Sequence, residues 1–205
     1  MLLSGRLYFY GYKAMEWILA SASPRRKELF AQLVEKFEII PAKGEEKAEK
    51  SLSPEKLVQV LARQKAEEIA DLPQAKGKWI LGADTIVALD GEVLGKPKDE
   101  VDAKRMLTAL SDREHGVYTG VCFIGTHHGE RVKFTDFACT KVLFERLTSE
   151  QIDEYIQSGS PMDKAGAYGI QDGGLVKEIT GSYSNVVGLP VELCKTWLER
   201  IEKLR

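Results

Sequence analysis

The stretch Trp17-Ile18-Leu19-Ala20-Ser21-Ala22-Ser23-Pro24-Arg25-Arg26 decides how this chain is read. Trp17 to Ala20 is an apolar run of buried-strand length, and Lys27 to Lys36 carries Leu29, Phe30 and Leu33 at helical spacing. Ser23 is a good N-cap, and Pro24 suits the first helical position, where a missing N–H costs nothing. A strand turning directly into a helix brings free backbone N–H groups, the positive end of a helix dipole and two guanidinium forks to one spot. Those are the components of a polyphosphate site. A lone Ser-Pro-Arg-Arg also fits a basic helix start with two solvated arginines, so the rest of the chain has to decide.

The 205 residues suffice for one substantial core, as one domain or two joined lobes. A hydrophobic content of 43% and a charged content of 29% are ordinary for a soluble globular protein. Lysine and arginine number 29 against 31 aspartates and glutamates, a net charge of −2, which argues against general nucleic-acid binding. Any phosphate site must then be local. Cys122, Cys139 and Cys194 are odd in number and widely spaced, suggesting neither a disulfide framework nor a zinc site. They read as small buried hydrophobes in a reducing, cytoplasmic compartment. No apolar stretch approaches the roughly 20 residues that span a bilayer, so no membrane partner is expected. Residues 1–14 lack the apolar core and cleavage site of a signal peptide, and Met15 immediately precedes the first strand. They read as an extension ahead of a domain spanning residues 15–205, and deleting them is expected to leave activity intact.

Residues 41–53, rich in lysine and glutamate, read as a mobile connection. Ser53-Pro54-Glu55-Lys56 then opens a helix to about Ala70 with Leu57, Val60, Leu61 and Ala62 as its apolar stripe. Trp79 to Ala83 is a strand ending in Asp84-Thr85, and Ile86 to Leu89 and Glu92 to Leu94 flank the turn signal Asp90-Gly91. A short helix is expected over 99–110 with Ala103, Met106, Leu107 and Leu110 inward. Runs 115–127 and 130–144 alternate like an antiparallel pair around His128-Gly129. A helix near 149–157, a glycine-dense segment from Gly159 to Gly188 and a closing helix from Pro190 to about Leu204 complete the chain. Strands and helices mix without a strict βαβ rhythm, which indicates an α/β or α+β fold with a mixed sheet.

Asp84, directly after an apolar strand, stands where open sheets commonly present functional groups. A carboxylate there binds a divalent metal or orients a water; as an Asx-type turn residue it would only shape the bend into Ile86. Gly91 to Gly95 has three intervening residues rather than the four of a P-loop, and Pro97 replaces its Ser or Thr. Lys96 remains a candidate point charge. Lys65 lies beside Ala62 and Ala66 on the inner part of its helix, where a snorkelling lysine fits about as well. Residues 163–174 pack glycines and alanines around Tyr168 and Gln171, and glycine permits close backbone approach to a ligand. Gln171 has the donor and acceptor needed to pair with the edge of a base.

Taken jointly, these motifs resemble the Maf family of nucleoside triphosphate pyrophosphatases, from Trp17 onward. The resemblance rests on Ser21-Ala22-Ser23-Pro24-Arg25-Arg26, the Lys65-Ala66 helix, Gly82-Ala83-Asp84-Thr85, Gly95-Lys96-Pro97, residues 115–120, residues 163–171 and residues 185–190, in this order. Glu45-Glu46 departs from the family's usual Asp-Glu. The resemblance implies a single α/β domain of two lobes around a central cleft, similar to the inosine triphosphate pyrophosphatases. It implies hydrolysis of a nucleoside triphosphate to monophosphate and pyrophosphate with a divalent metal, Mg²⁺ or Mn²⁺, cleansing nucleotide pools, with a link to arrest of cell division and a homodimer as the family-level expectation. Ser23, Arg25 and Arg26 would hold the triphosphate, with Lys65 and Lys96 as further charges at the reacting phosphates. Asp84 would be general base or metal ligand, and Glu46 the second acidic ligand. Thr85, Gln171 and an arginine of the Ser-Pro-Arg-Arg motif go with the branch that acts on dTTP and UTP. A nucleotide-binding regulator of septation without turnover is the alternative, against which stands the presence of every charged residue that hydrolysis needs.

Overall fold

The computed structural model describes residues 15–44, 48 and 52–204. Strand β3 (Trp79–Leu89), eleven residues long and buried almost throughout, is the axis of the fold. One of its edges pairs antiparallel with β5 (Glu114–His127) from Ile80 to Ala88. The other edge is shared by two short strands. β1 (Trp17–Leu19) runs parallel beside residues 79–81, and β4 (Glu92–Leu94) returns antiparallel beside residues 87–89. Among the described residues no strand covers that edge between Leu81 and Val87, and the sheet is split there.

Beyond β1 lies β2 (Glu38–Ile39), parallel to it; beyond β5 lie β6 (Glu130–Phe144) and β7 (Val176–Thr180), both antiparallel. The sheet is thus mixed and seven-stranded, in the single α/β domain expected. Both hairpin turns have positive φ at both central residues, 51° and 82° at Asp90-Gly91 and 49° and 83° at His128-Gly129. This handedness matches the twist of the strands they join, which is why Asp-Gly and His-Gly stand there.

The helices are α1 (Pro24–Phe30), α2 (Pro54–Ala70), α3 (Glu100–Leu110), α4 (Ser149–Gln157), α5 (Tyr183–Val187) and α6 (Val191–Glu202). α3 buries the four residues expected of it, and α4 begins with a capping box between Thr148 and Gln151. Three expectations need correction. α1 stops at Phe30 instead of continuing to Lys36, because Gln32 and Leu33 bond to carbonyls only three residues back and tighten the turn. β3 does not end at Asp84: the hydrogen bonds to β5 continue through Thr85 to Ala88, so Asp84 sits mid-strand. Cys139 is exposed, unlike the buried Cys122 and Cys194. Of the connection read over residues 41–53, residues 45–47 and 49–51 lie outside the described residues.

Alternation along β3 sorts its side chains. Trp79, Leu81 and Ala83 join a core with Trp17, Phe30, Phe123 and Leu198 under α1 and α6. On the same face, Val87 and Leu89 join a second core with Leu107, Phe144 and Ile152 under α3 and α4. Thr85 falls between the two, so two lobes meet over one strand. The opposite face packs against α2 through Ile18, Ala62, Ala66, Ile69, Ile80 and Cys122.

Candidate active site

The split in the sheet opens into a cleft of about 560 Å³. Ser23, Arg25, Arg26, Lys65, Asp84, Thr85, Lys96 and Gln171, separated by up to 148 positions in the chain, all line it. Glu46, the other residue singled out from sequence, lies outside the described residues, as does the extension at 1–14.

The floor is built by backbone proximity. α2 lies so close to the sheet that a Cβ on Gly82 would stand 2.3 Å from the Ala62 carbonyl, and one on Gly120 would stand 2.2 Å from the Val58 carbonyl. Only glycine permits that approach. It brings Lys65 down onto Asp84, and its ammonium forms a salt bridge with the Asp84 carboxylate. Asp84 is 7% exposed, so the carboxylate is shielded from bulk water but open toward the cleft.

A second wall is the start of α1. Ser23 caps the helix, its Oγ accepting from the Arg26 N–H at 3.4 Å. Arg26 donates from Nε to the Gly188 carbonyl at 2.8 Å, from Nη1 to Ser21 Oγ at 3.3 Å and from Nη2 to Thr85 Oγ1 at 3.0 Å. Its fork is therefore oriented by three separate segments. Arg25 reaches across the mouth to Asp163, 3.4 Å away. Lys96, exposed on the cleft wall just past β4, has no hydrogen bond or ion pair within the described residues.

The glycine-dense segment forms the remaining wall. Its three short 3-10 turns are held by a knot of side chains that sequence reasoning did not find. Lys164 Nζ donates to Ser160 O at 2.5 Å, Ser160 Oγ at 2.9 Å and Asp163 Oδ1 at 2.8 Å. Tyr155 Oη donates to Asp172 Oδ2 at 2.5 Å and accepts from the Gly169 N–H at 3.0 Å. Burial pushes the Asp163 and Asp172 carboxyls up, but the hydrogen bonds and cations facing them outweigh it and hold both below the usual carboxylate range. Gln171 projects from this frame, exposed at the rim, next to the pinned Asp172. Below it, Tyr168 Oη is 2.8 Å from His115 Nε2, and burial lowers the His115 pKa to about 4, so the ring is neutral at physiological pH.

Among the described residues, the cleft lining carries five cationic side chains, Arg25, Arg26, Lys65, Lys96 and Lys164, against two carboxylates, Asp84 and Asp163. A protein with net charge −2 thus concentrates positive charge in one cavity, which suits a polyphosphate. Among the described residues no group of three or more His, Cys, Asp or Glu side chains could hold a metal ion by itself. Asp84 still fits a hard divalent cation of the kind that takes one or two protein carboxylates and completes its shell with substrate phosphates and water. No helix among the described residues is long and apolar enough to cross a membrane.

Residues 16–201 match the family of Maf-like proteins. A protein of Agathobacter rectalis named dTTP/UTP pyrophosphatase is 48% identical over 85% of this chain and 91% of its own. One of the same name from Carboxydothermus hydrogenoformans is 50% identical over 86% and 94%, and one from Thermococcus gammatolerans is 47% identical over 86% and 91%. Among solved structures, a HAM1 protein from Coxiella burnetii superposes with a TM-score of 0.52 at 17% identity over 91% of this chain and 99% of that one, a likeness of fold alone.

Proposed function

The chain belongs to the Maf family, and on that premise we propose that it is a pyrophosphatase converting dTTP and UTP to the monophosphate and pyrophosphate. The observation that carries the proposal is the Lys65–Asp84 ion pair at the floor of a cleft whose other walls present Arg25, Arg26 and Lys96. In this reading the triphosphate lies between Asp84 and the α1 start. Water attacks the α-phosphorus, the bond to the α–β bridging oxygen breaks, and the water's proton is lost as pyrophosphate departs. Such a reaction depends on positioning and on neutralising the charge that grows on the leaving group. Arg26 and Lys96 meet that charge, and Lys65 fixes the Asp84 carboxylate. Asp84 serves as base toward the water or holds a divalent cation, Mg²⁺ or Mn²⁺, which when bound supplies further charge neutralisation. Gln171, a neutral amide on a pinned frame, suits a pyrimidine edge that offers both an acceptor and an N–H. The setting would be the cytoplasmic nucleotide pool, with the protein acting as a homodimer.

Pyrophosphate release from a panel of nucleoside triphosphates with Mg²⁺ or Mn²⁺ tests the proposal. Preference for dTTP and UTP is expected. A best substrate of another base class would overturn the specificity, and no turnover with any would leave a nucleotide-binding regulator.

A further inference from the structure

Thr119 is fully buried and does not line the cleft. We infer that it is a positioning residue for Arg26, acting through the hydroxyl of Thr85; this rests on the phosphate-binding role proposed for Arg26. Thr85 and Thr119 are directly opposite in the β3–β5 register, on the face where the two lobes meet. Their hydroxyl oxygens are 2.9 Å apart, and each has one proton to give.

Where those protons go follows from the acceptors. Thr119 Oγ1 lies 3.1 Å from the Asn185 carbonyl and donates to it. The proton between the two threonines must then come from Thr85. The reverse assignment would send the Thr85 proton to the Gly188 carbonyl at 3.5 Å, a poorer hydrogen bond onto an oxygen that already accepts from Arg26 Nε at 2.8 Å. Under either assignment the Thr85 proton is consumed inside the protein. Its oxygen is left as an acceptor, and the donor aimed at it is Arg26 Nη2. Thr85 therefore acts on the guanidinium fork, and Thr119 sets the direction in which it does so.

The far end of this hydrogen-bonded series is tied to the sheet. Asn185, with no exposed surface, donates from Nδ2 to Val117 O and Thr140 Oγ1, both at 3.0 Å, tying α5 to β5 and β6. Among Gly188 O, Ser21 Oγ and Thr85 Oγ1, which all accept from Arg26, Thr85 is the one whose lone pair is fixed by another buried side chain.

The test uses Thr119→Val, which keeps the branched shape and removes the hydroxyl, Thr119→Ser, which retains it, Thr85→Val and the double variant. Each is assayed for dTTP turnover and, by calorimetry, for binding of inorganic pyrophosphate, with melting curves to fix the folded fraction. Thr119→Val is expected to lower kcat/KM about five- to tenfold, the worth of one net hydrogen bond, and to weaken pyrophosphate binding in parallel. Thr119→Ser is expected to stay within about twofold. Adding Thr119→Val to Thr85→Val should cost nothing further, because the link is already broken. A purely structural role would lower the melting temperature and leave these couplings additive. Additive losses, or unchanged pyrophosphate binding in folded Thr119→Val, would overturn the inference. Absence of turnover in the unmodified protein, with the binding pattern intact, would instead refute the proposed activity.

Discussion

Substituting Gly82 with alanine tests how the Lys65–Asp84 pair, proposed as catalytic, is held together. The added Cβ would meet the Ala62 carbonyl oxygen at 2.3 Å and the Ala66 nitrogen at 2.8 Å, and neither backbone atom can swing aside. Ordinary contact begins near 3.4 Å, so α2 must lift by about 1 Å. Lys65 lies one turn from Ala62 and adjoins Ala66 in the helix, so the lift carries the ammonium that pairs with Asp84. Overpacking of this kind costs about 1–3 kcal/mol, or roughly 5 °C of melting temperature for a domain of this size. A displacement of 1 Å at a reacting centre costs about 100-fold in rate. Initial rates of pyrophosphate release and a thermal melt on the same sample read both numbers. Gly120→Ala is the internal comparison: it clashes with Val58 and Gln59, nearly two turns from Lys65, and should lose similar stability with a smaller loss of kcat. If Gly82→Ala melts lower yet keeps kcat within about threefold of the unmodified protein, the closeness of α2 is a packing matter with no bearing on the site.

Asp84→Asn keeps the shape and removes the charge; turnover should fall by orders of magnitude while the protein stays folded, and retention of more than about a tenth of the activity would remove Asp84 from the chemistry. Gln171→Glu replaces a group that donates and accepts with one that only accepts, and should narrow the ratio of kcat/KM for dTTP over purine triphosphates; an unchanged ratio would place base reading elsewhere. The His115 pKa is lowered by burial from 6.5 to about 4, so the unfolded state binds the extra proton first. Stability should be full above pH 6.5 and fall by about 3 kcal/mol as pH drops toward 4. A His115→Gln variant should lack that slope, and an identical slope in its pH-dependent melts would assign the loss to other groups.

Local patterns were legible because neighbouring residues determine them. Turns with positive φ announced themselves as Asp90-Gly91 and His128-Gly129, and the inward residues of α3 followed from their spacing alone. Asp84 was assigned to a strand end because a charged residue interrupts an apolar run; what carries β3 past it is the pairing with β5, whose residues lie 28 to 36 positions away. The supporting polar groups were hidden for the same reason. Lys164 and Asp172 in a glycine-rich loop, and Tyr155 on the helix before it, look like surface residues until the chain folds back. Thr119 did leave a trace: it interrupts the inward series Val117, Val121 and Phe123, where a hydroxyl needs a buried partner. Glu46 and the connection around it fall outside the described residues.

The most direct test of the central claim is hydrolysis of dTTP in water enriched with ¹⁸O, followed by mass analysis of both products. Attack at the α-phosphorus, with Asp84 at the floor and the cations around the departing pyrophosphate, predicts one ¹⁸O in the monophosphate and none in the pyrophosphate. Label in the pyrophosphate, or release of orthophosphate in its place, would contradict the account.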